Sequence, residues 1–395
     1  MQAQKPFRRI SPLSIGLISL LVGVIFVPTV MTMVATSGDY VANLIDALFW
    51  AKTGAVTRPR PHFLYQLLVI AFHWIVPGGD FSLAAAALSI VSYVALGVMI
   101  YILVYPLFAN FMGWRRTFAA FFAMLALMIV SPITVMTWYK HNLYLGYIAV
   151  HSYHNPTMIV HQPFALLLWL FAIKVFTGKT TSVRLILVCA GIAVGATLSK
   201  PNYALCLLPA LSLLVVSAYV QKQAINFPLL SIGIAVPLGE VLAWQYFVYK
   251  TTGMGGFEFA PLKVMSYYAQ GDLLPKFILS ILFPLSVSMF YFNAARRDIS
   301  LRVSWLAFLF ACFYLYFLTE TINWTDGNFA WGGEITLMLL FVTSTILFLR
   351  ENMAAITQRK FSAKFCVCSS IWLLHVASGI LFFLSSTSDQ WRQWL

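Results

Sequence analysis

The chain has 395 residues, of which 61% are hydrophobic and 9% charged, and its mean hydropathy is +0.84. Soluble globular domains carry about 25% charged residues, so the composition excludes one and indicates a polytopic membrane protein. The formal charge of +13 does not signal nucleic acid, because the 25 Lys and Arg residues are scattered between apolar runs rather than massed on one face.

The N-terminal stretch KPFRRISPLSIGLISLLVGVIFVPTVMTMVAT puts three basic residues ahead of an apolar run. That run exceeds the roughly 7 to 15 residues of a signal-peptide core, which predicts an uncleaved first span. Apolar segments of roughly 17 to 25 residues are predicted as spans at about 12–36, 82–108, 117–137, 158–177, 184–199, 203–220, 227–248, 276–293, 303–320, 334–349 and 364–386. The predicted architecture is an all-α polytopic membrane protein of about eleven transmembrane helices, one domain over 1–395, with no internal repeat. Cys189, Cys206, Cys312, Cys366 and Cys368 fall in or beside apolar runs and indicate neither a disulfide framework nor a zinc site.

The segment PHFLYQLLVIAFHWIVPGG at 61–79 is short and carries His62, Gln66 and His73. Treating it as a helix along the interface rather than a span preserves a positive-inside pattern in which 16 of the 25 basic residues are cytoplasmic. The N-terminus is then inside, and nine of the 12 acidic residues fall outside, so function is expected on the extracytoplasmic face.

The first outer loop, about 37–80, opens with Asp39 and Tyr40 directly at the exit of the first span. A carboxylate at this depth is suited to proton abstraction; it also suits a cap on the following amphipathic helix of Val41, Leu44, Ile45, Leu48 and Phe49. Arg58 and Arg60 follow on a proline-stiffened segment, against the positive-inside tendency. Either a lipid headgroup or a substrate phosphate accounts for them. The second outer loop, WYKHNLYLGYIAVHSYHNPT, carries Lys140, His141, His151 and His154 among aromatic rings, without metal-ligand spacing. It fits a sugar-binding surface or an interfacial aromatic belt. Lys200, Pro201 and Asn202 form a very short outer connection, where an ammonium either snorkels to water or meets an anion. Three nearby glycines, Gly253, Gly255 and Gly256, predict a flexible connection, and ETINWTDGNFAWGGE at 320–334 adds Asp326 and Asn328. Glu240 lies alone within a span.

A first span followed by a loop opening on aspartate, an amphipathic helix, PHFLYQLL, a further interfacial helix and a later SKPN resembles the GT-C superfamily of polyprenyl-phosphate-sugar-dependent glycosyltransferases. The resemblance covers the layout of most of the chain and rests on short motifs. It implies Asp39 as the general base that deprotonates an acceptor hydroxyl, with inversion at the anomeric carbon. Lys200, with Arg58 or Arg60, would neutralise the departing phosphate. His62, Lys140, His154, Asn155, Asp326 and Asn328 would bind headgroup, acceptor or sugar, and Tyr40, His141 and Asn202 belong to the same expected substrate surface. The implied partners are a polyprenyl-phosphate-sugar donor, a lipid-linked or glycan acceptor and membrane lipids, in a bacterial cytoplasmic membrane.

Two features depart from that pattern. Many members carry adjacent acidic residues where this chain has Asp39 and Tyr40, so no cofactor is expected and divalent-metal dependence is unsupported. A soluble C-terminal domain is also missing from the expected layout, which points to an acceptor held by the membrane domain, such as a glycolipid. The rival readings are a transporter or flippase using Glu240 and a membrane acyltransferase using His141 or His154 as base.

Overall fold

The computed structural model describes residues 10–55, 61–136, 146–178, 180–253, 255–269 and 271–388; Arg58, Arg60, Lys140 and His141 lie outside them. In chain order the helices are α1 (Pro12–Thr36), α2 (Gly38–Thr53), α3 (Leu64–His73), α4 (Phe81–Val104), α5 (Trp114–Ile129), α6 (Pro156–Val175), α7 (Val183–Ser199) and α8 (Asn202–Val220). They continue with α9 (Val236–Thr251), α10 (Lys263–Ala269), α11 (Leu273–Phe290), α12 (Phe292–Ala295), α13 (Ile299–Phe317), α14 (Ala330–Gln358) and α15 (Ala363–Ser385).

Among the described residues, nine helices are long and apolar enough to cross a membrane. The protein is thus an all-α, multi-pass architecture. Every predicted span corresponds to a helix, but α5 and α7, at 16 and 17 residues, fall short of the roughly 20 residues that cross a bilayer unaided. The local reasons for the helix starts are readable. Ser11, Asp80, Asn155, Ser182, Asp298 and Ser362 each cap a helix by accepting a hydrogen bond from a first-turn N–H. A seven-residue π-helix, Leu229–Ala235, leads into α9; Pro237, which has no N–H to give, follows immediately.

Helix α14 is the axis of the bundle. Residues Ile335 to Val342 are at most 1% exposed, and a helix apolar on all sides is stable only when neighbours surround it. Those neighbours include α13, α11, α8 and α6, while α1 packs along α4 at one flank. Close approach at the other flank depends on Gly379 of α15, where a Cβ would run into the Ile129 carbonyl at the end of α5.

Between α1 and α4 the chain forms two short helices, α2 and α3. At 1.5 Å per residue, the ten residues of α3 reach about 15 Å, half of a roughly 30 Å hydrocarbon core. On α2, Tyr40, Asn43 and Ala47 face inward, whereas Val41, Ile45 and Phe49 turn outward. An outward apolar stripe beside a packed inner face is what an interfacial helix presents to lipid.

The glycine-rich connection differs from expectation. Phe257–Phe259 (β1) pairs antiparallel with Leu318–Glu320 (β2), with Glu258 opposite Thr319, and α10 follows. Gly255 takes a positive φ of 92° close to Thr321 and Ile322, so this glycine serves a tight approach to the ribbon rather than freedom of motion.

Candidate functional site

The site is built around the start of α6. Asn155 is its N-cap and Pro156 its first residue, a pairing that sets both the cap geometry and the helical φ. The cap bond uses Asn155 Oδ1, which accepts from the Met158 N–H at 3.2 Å and from Thr157 Oγ1 at 2.7 Å. With the oxygen committed, the amide nitrogen faces the opposite way and donates to Asp39 Oδ2 at 2.9 Å. Asp39 itself is in the first turn of α2, where Ser37 holds the N-cap position and donates through Oγ to the His154 carbonyl at 2.8 Å. The capping role open to Asp39 in the sequence therefore falls to Ser37 in position, and the Asp39 carboxylate is directed to Asn155.

Lys200 completes the line. It ends α7 with φ −163° and ψ 127°, the extended conformation that a following proline favours, and this turns the side chain into the bundle. The residue is 6% exposed. Its ammonium donates to Thr157 Oγ1 at 3.0 Å and to Asn155 Oδ1 at 3.4 Å, and it sits 4.2 Å above the Trp331 ring. Burial pulls its pKa down to about 8, while Asp39 and Glu334 act in the opposite sense. His154, whose ring lies 6.0 Å from Trp331, is also held below the ordinary imidazole value by burial; Asp39 opposes the shift and Lys200 reinforces it. Asp39, Asn155, Lys200 and His154 thus form one constellation, in which a carboxylate and a buried cation are bridged by a single amide.

Beneath Lys200 the bundle holds further polar groups. Glu334, 2% exposed in the first turns of α14, accepts a hydrogen bond from Ser152 Oγ. His161 Nδ1 is 2.9 Å from Ser199 Oγ, and Gln162 Nε2 is 3.3 Å from His151 Nδ1. Among the described residues, Glu334 Oε1, His161 Nε2, Gln162 Oε1 and the hydroxyls of Tyr153 and Tyr203 are buried without a hydrogen-bond partner. Native interiors satisfy most such atoms, so these stand out among the buried polar groups of the bundle. A glutamate opening an apolar run was the available signal, and it reads from sequence as a boundary charge.

The other predicted residues are placed as follows. Tyr40 is fully buried, with its hydroxyl 2.9 Å from Ser89 Oγ, and joins α2 to α4. His62 is half-buried ahead of α3, and the adjacent Pro61 carbonyl accepts from Gln245 Nε2 at 2.7 Å. Asn202 donates to the Asn328 carbonyl at 2.8 Å. Asn328 in turn donates to Glu320 at 2.7 Å and accepts from Trp331 Nε1 at 3.4 Å, so this chain braces the Trp331 ring beneath Lys200. Asp326 is exposed on the turn that Tyr268 closes onto the Thr325 carbonyl, away from the Asp39 line. His151 is buried with Nε2 2.8 Å from the Leu127 carbonyl, and burial pushes its pKa down to about 4. It is a neutral brace between the loop and α5. Among the described residues no three His, Cys, Asp or Glu side chains gather as metal ligands.

Glu240 is exposed halfway along the 23-residue helical stretch Leu229–Thr251, on the outer surface of the bundle. No protein-family model matches the chain, and no curated protein matches it.

Proposed function

We propose that the protein is a GT-C-type glycosyltransferase that moves a sugar from a polyprenyl-phosphate donor to a lipid-linked glycan or glycolipid, with about eleven membrane helices and its site on the extracytoplasmic face. The observation that carries this reading is the Asp39–Asn155–Lys200 line, which sets a base beside a buried cation at one end of an apolar bundle. In the reaction, the acceptor hydroxyl gives its proton to the Asp39 carboxylate as its oxygen attacks the anomeric carbon. The bond from that carbon to the phosphate oxygen breaks on the opposite side, and the electron pair leaves with the polyprenyl phosphate. Configuration inverts. Lys200 neutralises the phosphate, an effect that is strong where water is scarce.

The half-buried Trp331 ring beside Lys200 supplies a stacking surface for a sugar face. Asp39 has the role of base, Lys200 of phosphate ligand, and Asn155 of positioning residue between them.

Transfer of radiolabelled sugar from a panel of polyprenyl-phosphate sugars to extracted lipids and glycans tests this. Wild-type protein is expected to transfer label, and a folded Asp39→Asn variant to lose at least about 10²-fold in rate. Equal rates in the two proteins would sink the assignment of the base.

A further inference from the structure

At the opposite end of the bundle from Asp39, a groove of about 440 Å³ runs between α8, α11 and α13, with α12 at its mouth. One wall is apolar, made by Leu213 and Leu214 of α8 and by Trp305 and Leu306 of α13. The Trp305 ring is fixed by donating from Nε1 to Ser288 Oγ at 2.8 Å. Two guanidinium groups, Arg296 and Arg302, occupy the rim. Arg302 is held over the groove by a 3.4 Å hydrogen bond to Ser217 Oγ, and Arg296 lies 5.8 Å from the Phe292 ring.

The charge balance of this groove is unlike that of its neighbour. A second concavity of about 630 Å³, lined by Arg297, Asp298, Arg350 and Glu351, has its own carboxylates, and Arg350 pairs with Asp298 at 2.8 Å and with Glu351 at 3.8 Å. No carboxylate lines the first groove, and among the described residues neither Arg296 nor Arg302 forms an ion pair. Two uncompensated cations above an apolar channel complement one amphiphile, with an anionic head and a hydrocarbon tail. Guanidinium groups suit phosphate because their N–H forks match its oxygens.

We infer that this groove binds an anionic phospholipid, with its phosphate between Arg296 and Arg302 and one acyl chain along Leu213, Leu214 and Leu306. The orientation proposed above puts the groove in the cytoplasmic leaflet, where basic pockets between membrane helices meet anionic headgroups. The inference stands on the groove itself and does not require the transfer reaction.

The test is the unfolding midpoint of the full-length protein in detergent with added phosphatidylglycerol, phosphatidylcholine or soluble glycerol phosphate. A ligand that binds the folded state raises the midpoint, so phosphatidylglycerol is expected to raise it by at least about 2 °C at saturation, and the other two to leave it in place. The Arg296→Gln/Arg302→Gln variant is expected to lose that shift. Leu213→Trp is the second variant: it fills the channel from a residue that is 52% exposed, keeps both arginines, and is also expected to lose the shift. An equal shift with phosphatidylcholine, a shift with glycerol phosphate, or a full shift in either folded variant would overturn the proposal.

Discussion

Asn155 holds Asp39 by its amide nitrogen, at 2.9 Å, because its amide oxygen is already committed to capping α6. One side chain therefore ties the start of a membrane helix to the orientation of a carboxylate. The energetics of the two jobs differ. Losing an N-cap costs about 1 kcal/mol of stability, whereas misplacing a general base is felt in rate.

That difference gives a separable outcome. Asn155→Ser keeps a capping oxygen for the first-turn N–H of α6 but is too short to donate to Asp39, so transfer is expected to fall about 10²-fold with the unfolding midpoint close to wild type. Asn155→Ala is expected to lower both. The pair is read by sugar transfer and thermal unfolding on the same preparations, and a fully active Asn155→Ser would show that the Asp39 contact is structural only.

Lys200 predicts a pH dependence. Its ammonium is held down to about 8 from an ordinary value of 10.5, chiefly by burial. Binding of an anionic phosphate requires the charged form, so donor affinity is expected to be flat below pH 8 and to fall with rising pH above it. Stability runs the other way. Between about pH 8 and 10.5 the unfolded chain holds the proton that the folded chain has released, so the Lys200 contribution to stability rises with pH across that window. Lys200→Arg, which stays charged throughout, is expected to flatten the donor-affinity profile. Donor KM measured from pH 6.5 to 9.5 on both proteins checks this, and an unchanged profile in the arginine variant would assign the titration elsewhere.

Glu240 separates the transferase from a transporter. The carboxylate is exposed on the outside of α9, and a charged side chain at mid-bilayer costs about 3 kcal/mol on insertion scales. Glu240→Leu is expected to leave sugar transfer within about twofold and to raise the unfolding midpoint, in line with the usual independence of distant sites. A transfer rate that collapses in this variant, with the protein folded, would argue for a pathway along α9.

Much of the framework was legible. Apolar run lengths locate most helices of the bundle to within a few residues, although the 117–137 run passes the end of α5 at Ile129 and the 334–349 run stops short of the end of α14 at Gln358; the shortness of the 61–79 segment sets it apart from the predicted spans. Asn-Pro at 155–156 reads as a helix start, and Lys-Pro at 200–201 reads as an extended turn. Tyr40 illustrates where adjacency misleads. Selected as the neighbour of Asp39, it is turned about 100° around the helix, into the contact with Ser89. Glu334 was passed over for the converse reason: its partner Ser152 is 182 residues away, and nothing local distinguishes it from a charge at a span boundary.

Composition and order alone settle that this chain belongs in a membrane, because burial of apolar side chains is set by residue type and run length. They also place the starts of α1, α4, α6, α7, α13 and α15, because their capping side chains act over three or four residues. Only the tertiary structure decides that Asp39, Asn155 and Lys200 meet, since the contact of Asp39 with Asn155 spans 116 residues and that of Asn155 with Lys200 spans 45. Such meetings depend on how α2, α6 and α7 pack around α3, and packing is a property of many side chains at once rather than of any one motif.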